Sequence, residues 1–215
     1  MKLNFCPNKL IIGIFVGVLL SIIGMMVIYK VSRNEKTMDS IKEEVMVREG
    51  LITMKGNPLT LVGESLKVGD KAPDFTLVDN ELDEKTLKYF DGKVKILSVT
   101  PSLDTPTCDA QVKRFNKEAV NIGKNIVIIN VSVDLPFALS RFCSVNNIKN
   151  VLTLSDYRGS TFGLSYGVLI KELHLLTRAI FILDKENIIR YIEIVPEVSG
   201  HADYEQCLQE LKEII

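Results

Sequence analysis

The longest uncharged run in the chain extends from Leu10 to Tyr29 and is bounded by Lys9 and Lys30. It contains 20 residues, of which 16 are hydrophobic. As a helix, such a run reaches roughly 30 Å, the thickness of the hydrocarbon core of a bilayer. The mean hydropathy of the whole chain is +0.18, and without the run it falls slightly below zero. The sequence therefore predicts one transmembrane helix followed by a domain of ordinary composition.

A cleaved signal peptide is the alternative interpretation of this run. Lys2 and Lys9 form a short basic leader, as signal peptides require. However, the run exceeds the usual apolar length of about 7–15 residues, and no A-x-A-like cleavage site follows it. We therefore expect an uncleaved, single-pass membrane anchor. Basic residues flank the run on both sides, so the sequence leaves open whether the domain faces the cytoplasm or the outside.

The charges of the chain nearly cancel, with 26 basic and 27 acidic residues and a net charge of -1. This balance provides no electrostatic footprint for nucleic acid, and we expect no nucleic-acid partner. The 4 cysteines in 215 residues are too few for a small disulfide-stapled scaffold. We divide the chain into a tail (1–9), an anchor (10–29), a polar tether (30–48) and a folded domain (49–215).

The folded domain alternates strand-like and helix-like segments. A small β-hairpin is expected where Leu51–Lys55 and Leu59–Gly63 flank a Gly-Asn-Pro turn. Apolar runs predict further strands at 75–78, 94–100, 126–133, 178–183 and 188–195, and helices are expected at 106–122, 136–145 and 203–215. This order predicts an α/β fold with one central sheet and helices on both of its faces.

One cysteine stands in a chemically distinctive place. The strand at 94–100 ends at Pro101, and Thr105 and Pro106 are typical N-cap and N1 residues of a helix. Cys108 then lies in the first turn, where unpaired N–H groups and the helix dipole favour the nucleophilic thiolate. Asp109 opposes that effect, so a basic partner is needed, and local reasoning does not identify it. The alternative is an inert buried thiol.

The chain contains further cysteines and two histidines. Cys143 lies 35 residues after Cys108, which excludes a CxxC motif and a paired zinc site. It is either a resolving cysteine or a buried structural one. We expect Cys207 to pack in the core and Cys6 to be an unmodified thiol beside the apolar run. Two histidines, His174 and His201, have no partner at metal or triad spacing, so we expect no metal and no cofactor.

The residues around Cys108 resemble a known family. The pattern Pro-x-x-x-Thr-x-x-Cys, from Pro101 to Cys108, is similar to the active-site signature of peroxiredoxins. The longer stretch Val-Ser-Val-Asp-Leu-Pro-Phe-Ala-Leu-Ser-Arg-Phe-Cys, ending at Cys143, resembles the bacterial thiol peroxidases, which are atypical two-cysteine peroxiredoxins. The resemblance extends from about residue 50 to the C-terminus. It implies a thioredoxin-like fold with an added N-terminal hairpin.

The resemblance also implies a reaction and its residues. Cys108 is expected to attack a peroxide and become a sulfenic acid, which condenses with Cys143 to an intramolecular disulfide. Thioredoxin or a similar dithiol protein is expected to reduce that disulfide. Thr105 is expected to hydrogen-bond the thiolate and the peroxide, Arg178 to supply the missing cation, and Pro101 to shield the sulfur. A homodimer is implied in the same way.

Two other functions fit parts of the sequence, a thiol–disulfide oxidoreductase and a non-enzymatic binding domain. A membrane-anchored thiol–disulfide oxidoreductase shares the fold and a reactive cysteine at a helix start. Such proteins use a CxxC pair, and here Thr105 occupies its first position, which favours peroxide chemistry. A non-enzymatic tethered binding domain leaves the arrangement of Cys108 and Cys143 unexplained.

Overall fold

The secondary structure is taken from a computed structural model that describes residues 46–123 and 125–215. The strands are β1 (Val47–Met54), β2 (Asn57–Val62), β3 (Thr76–Val78), β4 (Glu84–Thr86), β5 (Val94–Val99), β6 (Ile126–Ser132), β7 (Leu152–Ser155), β8 (Leu169–Ile170), β9 (Leu175–Leu176), β10 (Ala179–Leu183) and β11 (Ile189–Ile194). The helices are α1 (Pro106–Glu118), α2 (Pro136–Val145), α3 (Thr161–Ser165) and α4 (Tyr204–Ile214), with a 3₁₀ turn at Leu87–Phe90.

A mixed sheet of order β11-β10-β5-β6-β7-β3-β4 forms the centre of this unit. Strands β5, β6 and β7 run parallel, whereas β10 is antiparallel to β5. Successive side chains alternate between faces, so Ile96 belongs to the apolar cluster with α1, α2 and α4, and Leu97 to the opposite cluster with Phe162 of α3. The predicted central sheet with flanking helices is thus confirmed.

The N-terminal hairpin is also confirmed, but its turn lies one residue earlier than predicted. Lys55 and Gly56 connect β1 to β2, and both have positive φ (51° and 78°), as a two-residue type I′ turn requires. Pro58 was expected in the turn and instead lies in β2 opposite Thr53. Strand β2 pairs with β8 and β8 with β9, which completes a second, smaller sheet.

Some predicted elements differ from the structure at their ends. Helix α1 ends at Glu118, four residues before the predicted end at Ile122. In α4 the predicted apolar stripe included Ile215, which is 61% exposed, whereas Cys207 is fully buried as expected. Strand β7 and the short elements α3, β8 and β9 were not predicted, because segments of two to five residues carry too little periodicity to identify.

None of the helices in the described part of the chain combines the length and the apolar character needed to cross a bilayer. The longest of them, α1, has 13 residues and spans about 20 Å, against roughly 30 Å for a bilayer core. This finding contradicts the predicted membrane location, which is therefore wrong, and it gives no support to the predicted membrane contact. The run from Leu10 to Tyr29, on which both were based, lies outside the described residues, as do Cys6 and most of the predicted tether.

Candidate active site

Cys108 lies where the sequence placed it, in the first turn of α1. Strand β5 ends at Val99, the chain turns through the buried Pro101, and the extended Thr105 (φ −107°) precedes Pro106 at the start of the helix. The Cys108 side chain is 0% exposed. Its sulfur therefore lies at the positive end of a helix dipole and is shielded from bulk water.

Arg178 provides the cation that local sequence reasoning could not identify. Its Nη2 donates to Cys108 Sγ at 3.3 Å, and its Nη1 donates to Gln111 Oε1 at 2.7 Å. Nε and Nη2 donate to the carbonyl oxygen of Val198 at 3.3 and 3.2 Å. The guanidinium is 1% exposed, so these acceptors fix it in a single orientation toward the sulfur. Because little water screens the guanidinium, its positive charge acts strongly on the sulfur.

A buried polar network lies behind the guanidinium. Gln111 accepts from Arg178 and donates through Nε2 to Ser98 Oγ at 2.8 Å. Ser98 in turn donates to Asn130 Oδ1 at 3.3 Å, and Asn130 Nδ2 donates to Thr100 Oγ1 at 3.2 Å. All of these side chains are fully buried. A buried network whose members are paired restricts their conformations, so it connects Arg178 rigidly to β5 and β6.

Asp134 holds the loop between β5 and α1. Its Oδ1 accepts from Ser102 Oγ at 2.7 Å, and its Oδ2 accepts from the Leu103 backbone at 2.8 Å and from Ser132 Oγ at 2.9 Å. Asp134 lies two residues before Pro136, the first residue of α2. One carboxylate thus joins the loop before Cys108 to the segment that leads into the helix of Cys143.

Thr105 and Pro101 border the same loop, in different surroundings. The Thr105 hydroxyl is exposed and donates to the Ser102 carbonyl at 3.1 Å. That bond directs the Thr105 proton away from Cys108. The lone pairs of the Thr105 hydroxyl remain free to accept hydrogen bonds. The side chain makes no capping hydrogen bond to α1, although Thr105 occupies the predicted N-cap position. Pro101 is buried beside the end of β5.

The negative charge of Asp109, which we expected to oppose a thiolate, is compensated on the helix surface. Lys113 Nζ lies 2.8 Å from Asp109 Oδ2, one helical turn along α1. Such i,i+4 pairs are weak contributors to stability, but the ammonium of Lys113 offsets the charge of Asp109 at close range. The positive charge of Arg178 therefore dominates at Cys108.

Cys143 lies on α2 and is partly buried against the apolar cluster that contains Cys108. Its sulfur lies 3.4 Å from Thr153 Oγ1. Within the described residues, Cys108, Cys143 and Cys207 are free thiols. Cys207 is packed in the core between α4 and the sheet, where burial and the nearby Glu193 and Asp203 raise the pKa of its thiol to about 12. Its thiolate is thus inaccessible near neutral pH.

No group of three or more metal-ligating side chains occurs within residues 46–123 and 125–215. His174 occupies the turn between β8 and β9, and His201 Nδ1 lies 3.4 Å from the Tyr204 hydroxyl.

Sequence reasoning placed Cys108 correctly but missed Gln111 and Asp134. Gln111 lies three residues after Cys108, on the predicted buried face of α1 with Val112 and Phe115. A polar side chain on such a face was a usable signal, because buried polar groups need partners. Asp134 follows a buried strand directly, and its partners across the loop could be recognised only in three dimensions.

Comparisons with known proteins agree with this geometry. Residues 67–208 match the Redoxin family. The chain is 51% identical over 160 residues to a thiol peroxidase of Oceanobacillus iheyensis, covering 74% of this chain and 97% of that protein. It is 49% identical over 164 residues to a thiol peroxidase of Bacillus subtilis, covering 76% and 98%. A crystal structure of a peroxiredoxin-like protein from Aquifex aeolicus superposes with a TM-score of 0.73 at 40% identity, covering 78% of this chain and 99% of that one.

Proposed function

We propose a reaction course for this chain on the premise that it belongs to the Redoxin family and is a peroxiredoxin-type oxidoreductase, one that reduces peroxides at the expense of a thiol. The observation that carries the proposal is the 3.3 Å contact between Arg178 Nη2 and Cys108 Sγ. A thiol at a helix N-terminus beside a buried guanidinium is held as a nucleophile. Cys108 is the residue that we assign to attack the peroxide.

In the first step, the Cys108 thiolate attacks one oxygen of the peroxide. A sulfur–oxygen bond forms, the oxygen–oxygen bond breaks, and the second oxygen leaves as hydroxide or alkoxide and takes up a proton. Cys108 is thereby oxidised to a sulfenic acid. Arg178 stabilises the thiolate and the charge that develops on the oxygens. Thr105, whose own proton points to Ser102, can accept a hydrogen bond from the bound peroxide, and Pro101 shields the sulfur from water.

In the second step, the Cys143 thiol attacks the sulfenic sulfur, and a disulfide and one water molecule form. Support comes from the position of Cys143 beside the apolar cluster that contains Cys108. The sulfur atoms of a disulfide are about 2.05 Å apart. Both cysteines are free thiols in this structure, and Cys108 is fully buried, so the two sulfur atoms must approach one another for the bond to form.

In the third step, a dithiol reductant restores both thiols by exchange, and we propose thioredoxin or a similar protein for this role.

We also propose that the catalytic domain forms a homodimer. We place this domain at residues 49–215, although β1 already begins at Val47. Leu135 and Phe137 at the start of α2 are 53% and 67% exposed, and they provide apolar surface beside the site. Analytical ultracentrifugation of the purified chain measures the oligomeric state.

Steady-state turnover tests the function itself. The full-length chain is mixed with hydrogen peroxide or an organic hydroperoxide and a thioredoxin system, and consumption of the reductant is followed. We expect turnover that Cys108→Ser abolishes and that Cys207→Ser leaves intact, because Cys207 is buried and unreactive. Equal turnover in Cys108→Ser and in the unaltered chain would rule out the assignment.

A further inference from the structure

We infer that Glu197 is a positioning residue that fixes the orientation of Arg178 toward Cys108 by fastening residues 196–200 to the turn of the N-terminal hairpin. We call residues 196–200 the acceptor segment. The inference rests on the proposed function, because the orientation of Arg178 matters for catalysis only where Cys108 is the reacting group. It assigns the hairpin a part in the active site, although the hairpin contributes no side chain that touches the sulfur.

The acceptor segment contacts both partners of the reactive pair. The Val198 carbonyl accepts from Arg178 Nε and Nη2 at 3.3 and 3.2 Å. The next carbonyl, of Ser199, accepts from Thr107 Oγ1 at 3.1 Å, and Thr107 directly precedes Cys108. A shift of this segment would therefore disturb the hydrogen bonds that hold the guanidinium and the first turn of α1 in place. Since hydrogen bonds weaken steeply with misalignment, a small displacement is sufficient to weaken the contact with the sulfur.

Glu197 connects the acceptor segment to the hairpin through both of its carboxylate oxygens. They accept from the backbone N–H groups of Lys55 and Gly56 at 3.0 and 3.2 Å and from Thr53 Oγ1 at 2.9 Å. The same carboxylate accepts from the backbone and the hydroxyl of Ser199 within its own segment. Consecutive N–H groups in a turn of positive φ form a concave site for an anion, and here the anion is a side chain of the protein.

Two backbone bonds and one apolar contact complete the attachment. The Thr53 N–H donates to the Pro196 carbonyl at 2.7 Å, and the Val198 N–H donates to the Thr53 carbonyl at 2.9 Å. The Val198 side chain is 1% exposed and lies in a small apolar cluster with Ile52 and Leu61 of the hairpin. The hydrogen bonds from Ser199 and Lys55 lower the pKa of Glu197 to about 2. The carboxylate therefore stays ionised at neutral pH.

The chain offers a matched control in Glu172. This residue also anchors the hairpin through a carboxylate, because its Oε2 accepts from the Thr60 backbone at 3.0 Å. Its place in the turn between β8 and β9 gives it no hydrogen bond to the acceptor segment. Glu172→Gln therefore weakens hairpin docking alone, whereas Glu197→Gln weakens docking and also loosens the acceptor segment that carries the Val198 carbonyl. Thr53→Val removes one donor to Glu197 at similar volume and serves as a milder second variant.

Three measurements on the full-length variants separate positioning from stability: the thermal midpoint, the second-order rate constant of Cys108 oxidation by hydrogen peroxide in a single turnover, and the pH profile of Cys108 alkylation by iodoacetamide. For Glu197→Gln we expect oxidation to slow about tenfold, because neutral bonds replace charge-assisted ones, and the alkylation profile to move to higher pH. Thr53→Val should move both in the same direction by a smaller factor. Glu172→Gln should lower only the thermal midpoint.

The inference is overturned if Glu197→Gln and Thr53→Val both keep the oxidation rate and alkylation profile of Glu172→Gln. If Glu197→Gln does not fold, Thr53→Val alone decides in the same way. Failure of the proposed function is distinguishable, because the unaltered chain would then not consume peroxide at all. The alkylation profiles would still report whether Glu197 acts on Cys108.

Discussion

Arg178 Nη2 lies 3.3 Å from Cys108 Sγ, and neither side chain is more than 1% exposed. The other acceptors of this guanidinium are the neutral oxygens of Gln111 and Val198. A buried cation is costly unless an opposite charge accompanies it. The contact with Cys108 therefore links the cost of burying Arg178 to the sulfur.

Replacement of Arg178 by lysine should slow the reaction of Cys108 with peroxide by roughly a hundredfold, the scale of losing a donor to a developing oxyanion. A lysine ammonium keeps the charge but lacks the planar fork that reaches Cys108, Gln111 and Val198 together. Single-turnover oxidation of Cys108 measures the effect. Arg190→Lys is the control, because Arg190 pairs with Asp184 and not with Cys108, and its side chain is 49% exposed. Equal rates in both variants would contradict the assigned role of Arg178.

Gln111→Leu should lower the free energy of unfolding by about 1–3 kcal/mol, because Arg178 Nη1 then has no acceptor inside the core. The rate of Cys108 oxidation should fall as well, since the guanidinium loses its 2.7 Å bond. Denaturant unfolding and single-turnover kinetics provide the two values. Gln206→Leu on α4 is the matched control, because Gln206 bonds only surface groups. An unchanged stability of Gln111→Leu would show that the buried network is not rigid.

Asp134→Ala should slow Cys108 oxidation and lower the free energy of unfolding by about 1–3 kcal/mol. The reason is that polar groups of the loop between β5 and α1 then lose their hydrogen-bond acceptor. Ser102 Oγ and the Leu103 N–H both depend on this carboxylate. Asp104→Ala is the control, since Asp104 is exposed and lies 4.0 Å from Arg141. Circular dichroism melting and peroxide kinetics compare the two variants. If Asp134→Ala and Asp104→Ala show the same stability and the same rate of Cys108 oxidation, the hydrogen bonds of Asp134 do not position the loop.

Protonation of Glu197 should weaken the fold at low pH. The hydrogen bonds from Ser199 and Lys55 lower its pKa from 4.5 to about 2 in the folded chain. A depressed carboxyl pKa contributes stability that is fully present above the unfolded value and is lost as the pH falls from 4.5 toward 2. Glu197→Gln should therefore show a shallower loss of thermal midpoint between pH 5 and pH 2, roughly the range in which this linkage acts. If the thermal midpoint falls equally steeply with pH in Glu197→Gln and in the unaltered chain, the prediction is contradicted.

The sequence predicted the parts of the fold that depend on local rules. The buried run of β6, Pro136 at the start of α2 and Pro106 at the helix start before Cys108 are local features that a few neighbouring residues determine. The turn of the hairpin was misplaced because Asn57 and Pro58 are also common turn residues. Only the positive φ at Lys55 distinguishes the two possibilities.

The contacts of the site were less predictable, because they join distant parts of the chain. Arg178 lies 70 residues from Cys108, and only the family resemblance pointed to it. No such resemblance pointed to the Val198 carbonyl, to Gln111 or to Glu197. A backbone acceptor has no signature in the residue types, since every residue carries one. Its position depends on the topology that brings β11, the hairpin and α1 together.

The most direct test of the central claim is a peptide mass measurement after one equivalent of hydrogen peroxide. In the unaltered chain we predict a single disulfide between Cys108 and Cys143. In Cys143→Ser we predict one added oxygen on Cys108, trapped with a sulfenic-acid reagent, and no efficient recycling by thioredoxin. Oxidation at Cys207, or no oxidation of Cys108 in either protein, would contradict the account.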